Sequence, residues 1–285
     1  MRPRSIRGPT PLLLPGSALL VFLLVLPLLY VAEQSFREYV PGRIGAAQDS
    51  PYTLHNYLEL VHPVYLRYLA AMIRIGLIST LVGVALAYPI AYFIARRRAG
   101  RLRTIALGFL VAFLFLSVLV RVYSLELSFG PVGLGPVLSA LLGVSRNSRE
   151  YAEFLVIIGL MHHNVPLSAL LLIGTIQNVN PRLAEAAQAL GASRWKAHLS
   201  TTVSLSVSGL LAAFLINYTI AISAFVIPMV LGKGKVLFMS NLIYDRFGEL
   251  TNYPSGAAIA IQLLVLAFAM IYGITRLALV RWERT

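Results

Sequence analysis

Cysteine is absent from the 285 residues, so disulfide staples and thiolate metal sites are excluded. Carboxylates are scarce as well: 11 Asp and Glu stand against 24 Lys and Arg. Charged residues make up 12% of the chain, against roughly 25% in an ordinary soluble domain. No Asp or Glu falls in the central part of any long apolar run. A transporter driven by an ion gradient needs such buried carboxylates for coupling, so their absence weighs against that class. A phosphate-cradling loop is missing too. The run Gly232-Lys-Gly-Lys235 lacks the earlier glycine and the closing hydroxyl of the nucleotide-binding pattern, so ATP hydrolysis is not expected of this chain. No internal repeat, low-complexity tract or soluble-domain linker is visible.

What the chain does have is apolar length. It is 58% hydrophobic, with a mean hydropathy of +0.77, which makes it a membrane protein. Six runs, at 12–32, 69–95, 105–122, 154–176, 207–231 and 257–280, are each near the roughly 20 residues needed to cross the hydrocarbon. The expected fold is therefore all-α, a polytopic membrane protein with six transmembrane helices. A tail at 1–11 precedes one membrane domain at 12–280, and a tail at 281–285 follows it. The first run, after Arg2, Arg4 and Arg7, has the order of a signal peptide. Its length, Pro15 and Pro27, and the lack of a clean small-residue cleavage site favour an uncleaved span. Residues 33–67 are too acidic and turn-rich to span. The apolar piece 131–143 is too short, and reads as an interfacial or re-entrant helix or as a packed loop.

Basic residues collect in alternate connections. Arg2, Arg4 and Arg7 begin the series, residues 96–103 and 182–196 continue it, and Arg281 and Arg284 close it, with Glu185 and Glu283 the acids among them. Lys and Arg in short loops stay cytoplasmic, so both termini and the 180–199 loop are expected in the cytosol of an inner (cytoplasmic) membrane. This asymmetry accounts for the net charge of +13 without nucleic acid, and anionic lipid headgroups are the expected counter-charge.

Residues 180–204 read NPRLAEAAQALGASRWKAHLSTTVS, a polar, alanine-rich stretch between two apolar ones. Asn180 can cap a first turn, Pro181 suits the first helical position, and Gly191 can take the left-handed conformation that ends a helix. Ser193 then caps a second helix. Glu185, Ala186, Ala187 and Gly191 match, at the right spacing, the Glu-Ala-Ala, three residues, Gly signature of binding-protein-dependent ABC importer permeases. The signature's closing proline is replaced by Ser204, so the fifth run could continue straight out of the loop. The runs 223–232 and 241–244, with 88–92 and 120–123 upstream, are similar to the spermidine/putrescine-type branch.

This resemblance implies a type I importer-like permease, with residues 181–190 acting as a coupling helix toward an ATPase. It implies a second homologous permease, two cytosolic ATPase subunits that hold ATP and Mg, and an extracytoplasmic solute-binding protein. No cofactor or metal is expected in this chain itself. It also implies a small amine-bearing solute, polyamine by default, with an amino acid derivative or aminophosphonate as the alternative. A secondary transporter subunit and a membrane-assembly protein without transport remain as other classes.

Polar groups inside spans are costly and commonly face a cavity or a protein partner. His162, His163, Asn164 and Ser168 surround Pro166, while Asn217, Tyr218, Thr219 and Ser223 precede Pro228, so both runs are expected to be broken by proline where a path is lined. His162, Asn164, Tyr218, Ser223 and Phe225 are the candidate pathway residues, with interhelical hydrogen bonding as the other reading. Tyr88, Tyr92, Tyr218 and Phe225 offer faces for a cation. His162 and His163 point about 100° apart on a helix, which disfavours a metal pair. Arg74 and Arg121 are expected to snorkel or to pair with Glu126. Glu126, Asp245 and Glu249 could receive a binding protein or a cationic solute.

Overall fold

The structure is a computed structural model that describes residues 10–42 and 50–282. The amino-terminal arginines, Glu283 and Arg284 lie outside the described residues. Among the described residues the regular elements are helices, with one isolated antiparallel bridge between Arg37 and Tyr52. Four helices among the described residues are long and apolar enough to cross a membrane, at Pro15–Ser35, Pro63–Arg96, Arg149–Asn178 and Tyr253–Arg276. Two bent helix pairs raise the number to six when each pair counts as one span.

The chain divides into two compact units, residues 1–63 with 242–265, and residues 64–241 with 266–285. The first holds α1 (Thr10–Ser35), α2 (His55–Glu59), a π-helical turn at Asp245–Glu249 and the start of α13 (Tyr253–Trp282). Within α1, Leu19, Phe22, Leu23 and Leu29 are exposed, so its surface is apolar without a polar stripe. Polar groups fix the chain after it: the buried Asn56 amide donates to the carbonyls of Ser35 and Arg37, both at 2.9 Å. Arg37 pairs with Glu33 at 2.5 Å and stacks over Tyr52. Arg246 pairs with Glu59 at 2.7 Å.

The second unit carries α3 (Pro63–Arg96), α4 (Arg101–Phe115), α5 (Val118–Phe129), α6 (Gly135–Leu141) and α7 (Arg149–Asn178). It continues with α8 (Arg182–Ala189), α9 (Arg194–Ala197) running into a π-helical turn, α10 (Val207–Ile222), α11 (Val226–Leu231) and the beginning of α12 (Met239–Tyr244). One core is made by Val84, Ala87, Ala91 and Ile94 of α3, Leu110 of α4, Ala169, Leu172, Ile173 and Ile176 of α7, and Ala213 of α10. These recur at three- and four-residue intervals, so each helix offers one face. The alanines let backbones approach closely, which is how helices associate where lipid supplies no hydrophobic drive.

Several boundaries differ from the pattern of apolar runs. The run 105–122 is not one helix: α4 ends at Phe115, Leu116 and Ser117 are extended, and α5 leaves at 97°. Ser117 holds the extended conformation of an N-cap, and it is the sole local signal of that bend. The run 207–231 is also split, with α10 ending at Ile222 and α11 restarting at Val226. Pro228 lies in the first turn of α11, where its missing N–H leaves no helical bond unmade. Pro166, by contrast, does not break α7, which runs unbroken from 149 to 178. It cannot donate to the His162 carbonyl, but the helix carries that loss. The fifth run does not continue straight out of the loop either: Arg194–Val203 meets α10 at 67° without a proline. The Thr201 hydroxyl donates to the Ala197 carbonyl at 2.6 Å within the π-helical turn, the kind of back-bonding that bends helices. The 131–143 piece forms the short helix α6.

Candidate functional site

Two features carry chemistry, and both lie in the second unit. The first is the reversal after α7. The Asn180 side chain accepts from the Arg182 amide at 3.0 Å, and α8 follows. Its end is a Schellman motif: the Gly191 amide donates to Gln188 at 2.9 Å and the Ala192 amide to Ala187 at 3.0 Å, with Gly191 at φ +92°. Ser193 then caps α9, accepting from the Lys196 amide at 3.3 Å. Contacts run between α8 and α9 with its π-helical turn. Ala184 and Ala187 are half-buried, whereas Glu185, Ala186 and Gly191 are exposed. Leu190 is 90% exposed and Trp195 71%, so the knob presents apolar side chains beside a carboxylate.

The second feature is a cavity of about 250 Å³ lined by α5, α7, the end of α10 and α11. Val118, Arg121, Val122 and Leu125 share one face of α5, because three- and four-residue steps return to the same side. Gly159 lets α11 close over α7: a Cβ there would lie 2.7 Å from Leu231 and 2.9 Å from Ile227. The polar side chains on the lining are Arg121, His162, His163 and Ser223. Arg121 is 4% exposed, and its Nη1 donates to His163 Nδ1 at 3.0 Å. Arginine has no acceptor, so His163 accepts on Nδ1 and its neutral ring carries the proton on Nε2. The His162 ring packs on Phe113, with centroids 4.4 Å apart.

The break between α10 and α11 is held from α12. Ser240 donates to the Ala224 carbonyl at 2.6 Å, and Asn241 donates to the Phe225 carbonyl at 3.1 Å. The Ala224 carbonyl, freed by the break, is thereby satisfied, and the Phe225 carbonyl takes the Asn241 side-chain amide in addition to the Met229 amide of α11 at 3.1 Å. Ser223 turns its hydroxyl proton back onto Thr219 and Ile220 of its own helix.

Of the five candidate pathway residues, His162, Ser223 and Phe225 meet on this cavity. Asn164 and Tyr218 do not. Each is 1% exposed, and the Tyr218 hydroxyl donates to Met270 Sδ at 3.4 Å. Tyr218 stacks on Phe214, and its neighbour Asn217 donates to Ser168 at 2.9 Å, so this stretch of α10 joins helices. Arg121 does not pair with Glu126, which binds Lys233 at 2.8 Å instead. Arg74 pairs with Glu153. The bend at Ser117 turns Arg121 inward. Arg121, His163 and Gly159 are lining residues outside the five candidates.

Tyr88 and Tyr92 lie apart, with Trp195 and His198, on an open groove of about 1020 Å³. There the Tyr88 hydroxyl meets His198 Nε2 at 3.1 Å, and the Tyr92 ring stands edge-on to the same imidazole. Among the described residues no three His, Asp or Glu side chains gather in a metal-holding group.

Residues 87–284 match the model of the "Binding-protein-dependent transport system inner membrane component" family. This chain belongs to that family. The protein is thus a permease subunit of an ABC importer, a multi-pass protein of the inner membrane. It is 28% identical over 255 residues to the spermidine/putrescine transport system permease protein PotB of Haemophilus influenzae, covering 89% of this chain and 88% of that one. The Escherichia coli PotB is 29% identical over 222 residues, with 77% and 80% covered. A solved bacterial ABC transporter that imports the acidic polysaccharide alginate shares the fold, with a TM-score of 0.72, 16% identity, and 94% and 93% covered. An amino acid ABC transporter solved with histidines superposes with a TM-score of 0.51 at 15% identity, covering 82% of this chain and all of that one.

Proposed function

We propose that this permease forms half of the translocation pathway of an ATP-driven importer for a small amine-bearing organic solute, polyamine being the class that its PotB relatives carry. It pairs with a second homologous permease and with two cytosolic ATPase subunits that hold ATP and Mg, and an extracytoplasmic binding protein delivers the solute. The observation that carries this reading is likeness to PotB over most of both chains, together with an exposed knob that keeps the Glu185, Ala186, Ala187 and Gly191 spacing. ATP-driven closure of the ATPases is transmitted through 181–192 and becomes rotation of the spans in alternating access. The tails and the knob face the cytosol.

Two measurements test this. Uptake by the reconstituted importer, measured with labelled spermidine, putrescine and 4-aminobutanoate, should require ATP and the binding protein for whichever of them is carried, and uptake independent of ATP overturns the importer reading. A cysteine at the exposed Gln188 should react with an impermeant reagent only after the cells are opened; reaction in intact cells overturns the orientation. A second solute class, an amino acid derivative or aminophosphonate, is favoured by one observation: a buried arginine, and no carboxylate, lines the cavity.

A further inference from the structure

Arg121 has five N–H donors and a fixed positive charge, and leaving such a group buried without partners is costly. One nitrogen donates to His163. The buried Nε has no hydrogen-bond partner among the described residues. The nearby carboxylates are engaged elsewhere: Glu126 binds Lys233, and Glu153 binds both Arg74 and Arg149. The cavity that Arg121 lines is largely apolar, so a charge there is felt more strongly than in water. A free diamine would meet this guanidinium with no carboxylate to offset it.

We infer that the Arg121 and His163 side of this cavity binds the anionic group, a carboxylate or a phosphonate, of the transported solute. The inference rests on the importer reading and assigns its solute a negative group beside the amine. A planar guanidinium whose Nε lacks a partner can serve an oxygen of one anionic group, and a neutral His163 adds Nε2–H as a further donor. Phe225 and Val118 supply apolar wall for the carbon chain. At about 250 Å³ the space suits a short chain of this kind rather than an oligosaccharide.

The test uses the assembled importer, both permeases with their ATPases, in lipid nanodiscs and two probes of one carbon skeleton, 4-aminobutanoate and 1,4-diaminobutane, with methylphosphonate as a third. Heats of binding and thermal unfolding midpoints are read for each. The aminobutanoate and the phosphonate are expected to bind and raise the midpoint, and the diamine to do neither. Arg121→Gln should weaken anion binding by roughly tenfold or more, as loss of a charge-assisted hydrogen bond implies, and Arg121→Lys by less. Should Arg121→Gln fail to insert, Arg121→Lys and His163→Gln make the same comparison. Stronger binding of the diamine, or undiminished anion binding in an inserted Arg121→Gln protein, overturns the inference. Silence toward both anions overturns it as well; loss of the second permease on co-purification of Arg121→Gln would then assign the missing carboxylate to that subunit. Binding-protein-stimulated ATP hydrolysis of the wild-type importer, measured in parallel, separates the two readings. Normal stimulation with no anion binding refutes the solute group alone, and absent stimulation refutes the importer assignment.

Discussion

Between Asn180 and Ser193 each reversal of the backbone is made by a residue adjacent in sequence to the helix it starts or stops, through hydrogen bonds two to five residues long. The cavity differs, since its lining runs from Val118 to Ile227 and draws on four helices. Its groups meet because helices bend, at Ser117 and again between Ile222 and Val226. The knob is exposed and holds its shape by capping. The cavity holds its shape by packing between helices, so substitutions in the two places should fail in different ways.

The largest contrast is expected at Gly191. A Cβ there would meet nothing within 4 Å, so the whole cost of Gly191→Val is backbone strain at φ +92°, on the order of 1–3 kcal/mol locally. Binding-protein-stimulated ATP hydrolysis should fall to the basal level while the spans stay inserted. Gly191→Asn, which tolerates the left-handed region, should keep much of the stimulation. Wild-type stimulation in the valine variant would remove the coupling role from the knob.

Gly159 is the counterpart in the cavity, with ordinary helical geometry and no room. Gly159→Leu forces α11 off α7 and should cost about 1–3 kcal/mol, read as a lower unfolding midpoint together with reduced uptake. Unchanged uptake in that variant would show that the cavity lies off the solute path.

Asn217→Ala removes the bond to Ser168 and one to the Ala213 carbonyl. It should lower stability by about 1 kcal/mol and leave the solute affinity of the assembled importer alone. The smallest effect is expected for Tyr218→Phe, which deletes only the weak bond to Met270 Sδ, a few tenths of a kcal/mol. Loss of uptake in a fully stable Tyr218→Phe protein would return this residue to the pathway.

The knob was legible in the sequence because capping is local chemistry: Asn180, Gly191 and Ser193 announce their turns whatever surrounds them. The long runs at 69–95 and 154–176 were legible for a related reason, since apolar length alone decides whether a helix can cross. A proline is less informative. Pro166 and Pro228 look alike in sequence, yet α7 runs through one and α11 begins around the other. The outcome depends on whether the lost bond falls inside a helix packed along its length or in a first turn that needs no donor. Likewise, Arg121 lies near the end of an apolar run and reads as a snorkelling residue until the 97° bend turns it inward.

By itself, the sequence determined that this chain is helical, that it lies in a membrane, and that it carries a capped, exposed reversal at 180–193. These follow from hydrophobicity and from hydrogen bonds reaching no more than a few residues. Tertiary structure alone decided which polar residues line a space and which join helices. It placed Arg121 with His163 and Ser223 beside one cavity, and it closed Tyr218 and Asn164 into packing. The reason is physical: a side chain's surroundings are set by helix bends and by close approaches at small residues, and these arise between segments that lie tens of residues apart.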